Sequence, residues 1–384
     1  MIYLDHNATS SLRPEAKAAA LGALEIGGNP SSVHAAGRAA RALIEDAREA
    51  VAAFAGATSG EVIFTSGGAE ANALALRGAI AASAQSDAPV TRLFVQATAH
   101  DSVRTVAASL SESIPELQAR EISVDTNRRI DQAALRAQMT SGIGRAVVSL
   151  IYVNNETGVI ADLASLVKLI RGETDALIHV DAVSSGTCPI QFAEWDAEYL
   201  SLSAHKIGGP QGVGALIAKD GAPLAPLFNG FQELRRRGGT ENVSGIAGFG
   251  AAVRVLQSSR EGEAARITTI RDQFENGLRE LGAIMFGEGT GRAANTSSFA
   301  IPGLSAETAL MALDLDGICI SSGAACSSGK VGRSHVLKAM GVSDDLARCA
   351  LRVSFGWNST EVDAAACIVS LEKLLARISA RKAA

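Results

Sequence analysis

Apolar positions recur along this chain with two spacings, and their alternation sets out the architecture. Leu43, Ile44, Ala47, Val51 and Phe54 share one face at helical spacing, and Gly56 closes the run. Val62–Thr65 then reads as a strand, Ser66-Gly67-Gly68 as a tight turn, and a helix opens at Ala69 and runs through Leu76. Further strands are expected at Arg92–Ala97, Ala146–Val153, Leu177–Val180 and Tyr199–Ser203, with polar stretches such as Ser83–Pro89 between them. A helix is expected from about Asp101. Strands alternate with helices from Val62 to Lys219, which predicts an α/β fold: a mostly parallel central sheet with helices on both faces. Beyond Gln257 the pattern changes. A long helix is expected with Ile267, Ile270, Phe274, Leu278 and Leu281 on one face, then strands around Ser297–Ile301 and Ala350–Phe355. That stretch reads as a smaller α+β domain, with the boundary near Gln257.

Composition narrows the class. At 384 residues the chain exceeds what one hydrophobic core usually serves. A hydrophobic share of 47% and a charged share of 20% are those of an ordinary globular enzyme. The net charge of −5 and pI near 5.8 argue against nucleic acid or an anionic membrane as a main partner. The N-terminus has no signal-peptide pattern, and no apolar run is long enough to span a bilayer. The five cysteines, at 188, 319, 326, 349 and 367, form no CxxC pair, so neither a disulfide framework nor a metal site is indicated. The expectation is a reduced, cytoplasmic protein.

The candidate chemistry sits at strand ends. Lys206 follows Tyr199–Ser203 in the turn Ala204-His205-Lys206. A lysine there, beside a serine and a histidine, can hold an aldehyde cofactor as a Schiff base while its neighbours grip a phosphate, or it can be a solvated surface lysine. Strand, Gly-rich turn and helix at Val62–Leu76 is the geometry that points backbone N–H groups at a phosphate. Asn154-Asn155-Glu156 follows another strand, where open α/β sheets place ligands. His100 is either a helix cap or a site residue, and Asp181 either a cap or a partner for a buried cation. Alternation puts Leu351, Val353 and Phe355 on one face and Arg352 on the other. Arg352 there suits a bidentate carboxylate or a structural ion pair. Cys326, among small residues in Ser321–Gly329, has the surroundings of a reactive thiol. Three consecutive arginines in NGFQELRRRGGTEN form an exposed arm, or meet an anion or a second subunit.

Taken together, YLDHNAT, GNPSSVH, FTSGGAEAN, VNNETG, HVDAV, SLSAHKIGGPQGVGAL, RRGGTEN, SSGAACSSG, SHVLKAMG and RVSFG resemble the cysteine desulfurases of the NifS/IscS type, in order from Tyr3 to Gly356. The resemblance implies a pyridoxal-phosphate enzyme of fold type I, like aspartate aminotransferase. In it residues 14–257 form the large cofactor-binding domain, and 1–13 with 258–384 the small domain carrying the catalytic-cysteine loop. It implies that Lys206 carries the cofactor, Asp181 pairs with the pyridinium nitrogen and His100 stacks on the ring and moves protons. Ser203, His205 and the N–H groups of Gly68 and Ala69 would hold the phosphate, with Thr240 reaching it from the partner of a homodimer. Asn155 and Arg352 would orient the substrate carboxylate, and Cys326 would take the sulfur of L-cysteine as a persulfide, leaving L-alanine. A sulfur-acceptor protein such as an iron–sulfur scaffold is the implied partner.

Three positions depart from the family's pattern. Gly68-Ala69 stands where Ala-Thr is usual, Ser184 where a glutamine lies near the cofactor's phenolic oxygen, and Ala161 where another glutamine is common. A selenocysteine lyase or other β-lyase of the same fold, which needs no persulfide on Cys326, is one alternative; a weakened paralogue serving as a binding scaffold for sulfur acceptors, which a turnover assay for alanine separates, is the other.

Overall fold

The computed structural model describes residues 1–124, 129–322 and 333–383. Its strands are β1 (Ile2–Tyr3), β2 (Val62–Thr65), β3 (Val90–Gln96), β4 (Gln118–Ile122), β5 (Arg145–Ile151), β6 (Leu177–Asp181), β7 (Tyr199–Ser203), β8 (Gly214–Ala218), β9 (Ile284–Phe286), β10 (Thr296–Ala300), β11 (Ile318–Cys319) and β12 (Ala350–Ser354). Its α-helices are α1 (Pro14–Ile26), α2 (Ala35–Ala55), α3 (Gly68–Ser83), α4 (Asp101–Ser113), α5 (Gln132–Thr140), α6 (Leu163–Glu173), α7 (Val243–Glu280), α8 (Ala306–Leu315), α9 (His335–Ala339), α10 (Asp344–Ala347) and α11 (Glu361–Ala383). Among the described residues no helix is long and apolar enough to cross a membrane.

Seven strands form one sheet in the order β2-β8-β7-β6-β5-β3-β4. The pairings of β3 through β7 are parallel, and β8 runs antiparallel to both β7 and β2. Both faces are covered, so successive residues enter different cores: Val62 and Phe64 pack with α2, α6 and α7, and Ile63 with α3 and α4. The carboxyl ends of β2, β3, β5, β6 and β7 therefore lie along one edge, where the loops of such sheets meet ligands. A smaller antiparallel sheet, β12-β10-β9, packs with α7, α8 and α11 around Phe274, Phe299 and Phe355. The N-terminal β1 joins this half, pairing with β11.

Two elements differ from the sequence expectation. The long helix begins at Val243, capped by Asn242, and runs unbroken past Gln257. Its first turns are glycine-rich because they press against α2: a Cβ on Gly250 would stand 2.7 Å from Ala47 Cα. Those glycines interrupt the apolar spacing from which a helix is read. The Gly/Pro-rich stretch after Lys206 ends in a real strand, β8, which fills the place between β2 and β7.

The arginine-rich arm is fastened from within. Glu233, Leu234 and Arg235 all adopt positive φ, at 46°, 58° and 65°, each costing about 1–3 kcal/mol. Glu233 is buried and takes both Nη atoms of Arg48 at 2.8 Å, and Phe64 N–H at 2.8 Å. Arg237 pairs with Glu70, and Arg235 stacks over Phe231. Removing one partner of a buried pair strands the other charge, so Arg48→Ala is expected to lower the unfolding free energy by about 3–5 kcal/mol, read by denaturant titration. A loss below about 1 kcal/mol would show that the pair does not hold the arm.

Candidate active site

Lys206 occupies the short 3-10 turn Ala204–Lys206 immediately after β7. Its Nζ donates to the carbonyls of Asn7 at 2.5 Å and Ala8 at 3.1 Å. Burial, and then the charge of Arg352, depress its pKa to about 8, while Asp5 and Asp181 pull the other way. The amine therefore gives up its proton at lower pH than an exposed lysine does. Neighbouring His205 meets Thr9 Oγ1 at 3.2 Å, and burial with the lysine charge holds its pKa down to about 4.

Asp181 ends β6, one strand away. Its Oδ1 accepts from Val183 N–H at 3.0 Å and its Oδ2 from Asn72 Nδ2 at 2.9 Å. Asn72 also donates to Ser102 Oγ at 3.0 Å. Ser102 Oγ lies 2.8 Å from His100 Nδ1, which also accepts Ser102 N–H at 3.1 Å. A backbone N–H only donates, so Nδ1 is an acceptor and the proton of the ring sits on Nε2. His100 thus caps α4, one of the two readings its position allowed, and stays tied through Ser102 and Asn72 to Asp181.

The α3 N-terminus faces the same edge. Its cap, Gly67, offers no side chain to the first N–H groups of the helix, among them those of Gly68 and Ala69. Ser203 is buried, and its Oγ has no partner among the described residues. A buried hydroxyl without a partner beside free helix N–H groups suits an anion. Gly68 is a necessity of packing: a Cβ there would stand 2.5 Å from Val183 Cγ2 and 3.4 Å from Ser203 Cβ. Ser184 is half-buried in the turn that follows Asp181.

Asn155 and Arg352 come together from the two sheets. Arg352 is buried on β12. Its Nη1 donates to the Asn155 carbonyl at 3.0 Å and its Nη2 pairs with Asp5 at 2.7 Å, leaving Nε without a partner among the described residues. The ion pair foreseen as one reading of Arg352 is therefore present, to a carboxylate of its own chain. Thr240 is exposed, before the Asn242 cap of α7. Ala161 lies elsewhere, lining a cavity of about 380 Å³ with Gln96, Thr98, Asn154 and Thr157. Cys326 lies outside the described residues.

Several site residues escaped the sequence reading. Asn72 lies on the first turn and a half of α3, where a polar residue passes for surface, yet it is 1% exposed. Its signal was the offset from Gly68, four residues on, which puts both on the face that meets β6. Asn7 and Ser102 gave no periodic signal.

The aminotransferase class-V family matches residues 2–366. A cysteine desulfurase of Cereibacter sphaeroides is 40% identical, over 94% of this chain and 93% of its own length. The cysteine desulfurase IscS of Dictyoglomus turgidum is 36% identical, over 98% of this chain and 95% of its own. The solved structure of a NifS-like protein matches with a TM-score of 0.90 at 28% identity, covering 98% of this chain and 99% of the other.

The close approach of Gly68 and Val183 gives a test of the packing at this edge. Val183 is stiff at χ1, so Gly68→Ala is expected to destabilise by about 1–3 kcal/mol. Val183→Ala in the same chain should recover most of that loss in thermal melts. Additive effects of the two changes would show that the residues do not crowd each other.

Proposed function

The chain belongs to the class-V aminotransferase family, and from that premise we infer that it is a cysteine desulfurase, converting L-cysteine to L-alanine and taking the sulfur onto Cys326 as a persulfide. One observation carries the reading. A lysine of depressed pKa, a carboxylate fixed by two donors, and a buried unpartnered hydroxyl beside an open helix N-terminus share a single sheet edge. These residues fit pyridoxal 5'-phosphate. Ser203, His205 and the N–H groups of Gly68 and Ala69 would hold its phosphate, Asp181 its ring nitrogen, Lys206 its aldehyde carbon and His100 its ring face, with Ser184 beside it. Thr240 would complete the phosphate site from the partner of a homodimer. The exposed Phe228, Phe231 and Leu234 near it support that interface. In this reading 14–257 is the cofactor-holding part, and 1–13 with 258–384 the part that carries Cys326.

When bound, the cofactor supplies an electron sink that weakens the bonds to the substrate's α-carbon. The chain's own residues do the rest. Arg352 and Asn155 orient the substrate carboxylate, which competes with Asp5 for the guanidinium. Lys206 Nζ takes the proton from the α-carbon, its neutral fraction rising through pH 8. His100 exchanges the proton of the substrate thiol at Nε2. The Cys326 thiolate then attacks the substrate sulfur: a sulfur–sulfur bond forms, the carbon–sulfur bond breaks, and the electron pair left on carbon is protonated to give alanine. A sulfur-acceptor protein, such as an iron–sulfur scaffold, would relieve the persulfide.

Lys206→Ala is expected to lose retention of pyridoxal phosphate through gel filtration, together with all alanine formation. Cys326→Ser should retain the cofactor and bind L-cysteine but form alanine at less than about a hundredth of the wild-type rate. Alanine formed by the serine variant at the wild-type rate would end the persulfide mechanism and put a lyase of the same fold, one that needs no persulfide, in its place. Arg352→Lys keeps the charge and loses the fork, so KM for cysteine should rise about tenfold or more. An unchanged KM would leave Arg352 as Asp5's structural partner alone.

A further inference from the structure

Glu156 is a buried carboxylate that the scheme above does not use. It follows Asn155 in the turn after β5, and that turn is built by Asn154, whose Oδ1 accepts from Glu156 N–H, Thr157 N–H and Thr157 Oγ1. The turn would stand without the Glu156 side chain. That side chain reaches instead to the other half of the molecule, where its Oε2 accepts the Ser334 hydroxyl at 2.5 Å. Ser334 is itself buried and caps α9, taking Leu337 N–H at 3.0 Å. The next residue makes a second tie: His335 Nε2 meets the Ala99 carbonyl at 2.9 Å, so Nε2 carries the proton. Ala99 precedes His100 and Glu156 follows Asn155, so two consecutive side chains fasten the start of α9 to the two turns that bear these site residues. Ser334 stands eight residues after Cys326 in the sequence.

We propose that Glu156 is a positioning residue for sulfur transfer, which through Ser334, and beside the His335–Ala99 tie, fixes where the chain returning from Cys326 meets the cofactor edge. The proposal rests on the desulfurase reading. Its physical basis is effective concentration. A nucleophile reacts at a rate set by how well it is placed against its target, and a displacement of about 1 Å can cost on the order of a hundredfold. Burying a carboxylate to accept one hydroxyl is expensive for stability alone, since burial raises the carboxyl pKa to about 7 against the pull of Ser334 and Arg352. Arg352 on β12, Asp101 on α4 and Ser334 at the start of α9 are the charged and polar groups facing it. Because Ser334 donates, ionised Glu156 holds it more firmly than the acid form does. Burial outweighs that preference: opened to water the carboxyl would return to its ordinary value, so the junction loosens as pH rises through about 7.

The test uses full-length protein loaded with pyridoxal phosphate. In single turnovers with L-cysteine, Ser334→Ala and Glu156→Ala should each slow persulfide formation on Cys326 about tenfold. Cofactor retention and half-saturation by cysteine should stay at wild-type values, and Ser334→Thr, which restores the hydroxyl, should recover the rate. Wild-type rates in Ser334→Ala or Glu156→Ala would overturn the proposal. A wild type that makes no alanine would fail the desulfurase reading instead, before any variant is compared.

Discussion

Asn7 commits every polar group it has to a different part of the protein. Its N–H donates to Ser354 Oγ on β12, and its Nδ2 to the Asn155 carbonyl and to Thr296 Oγ1 on β10. Its Oδ1 accepts from Asn295, and its carbonyl receives Lys206. The N-terminal segment, both sheets and the lysine thus share one buried residue. Each of these groups, left unpaired at that depth, would cost about 1–3 kcal/mol. The site exists as a geometry because this residue fixes the distance between the two halves that supply it. Arg352 reinforces the join by meeting the same Asn155 carbonyl from the other side.

What the sequence disclosed follows from which forces leave a periodic trace. Strands buried on both faces, β2 and β7 among them, stand where the apolar runs put them, since burial dictates every residue. Lys206 and Asp181 stand at the strand ends where the apolar runs put them, the edge at which such sheets meet ligands. The edge strand β4 alternates weakly and is largely exposed, and the first turns of α7 trade apolar side chains for close helix contact, so neither left a pattern. Asn72, Asn7, Ser102 and Glu156 act through hydrogen bonds to residues distant in the chain, which apolar periodicity does not encode. Arg352 shows the other limit. Its two readings were posed as rivals, yet a guanidinium has donors for an ion pair with Asp5 and still leaves Nε over.

The departures from the family pattern have different physical standing. Gly68 belongs with Val183, since the room a side chain would need at one is taken by the other. Ser184 is short and half-buried beside the Asp181 turn, so it offers a hydroxyl at less reach than an amide. Ala161 lines the cavity of Gln96, Thr98 and Asn154, so its small size leaves room there that a longer side chain would fill.

The bond from Asn7 to Ser354 spans 347 residues of sequence. During synthesis, at about 5–20 residues per second, the N-terminal segment waits on the order of half a minute for β12 to leave the ribosome. The seven-stranded sheet, complete by Ala218, has no need of that delay. The two carbonyls that receive Lys206 belong to the segment that waits. The nascent chain can therefore hold a finished sheet and an unfinished lysine cradle together, and Lys206 acquires its setting only when the last strand arrives.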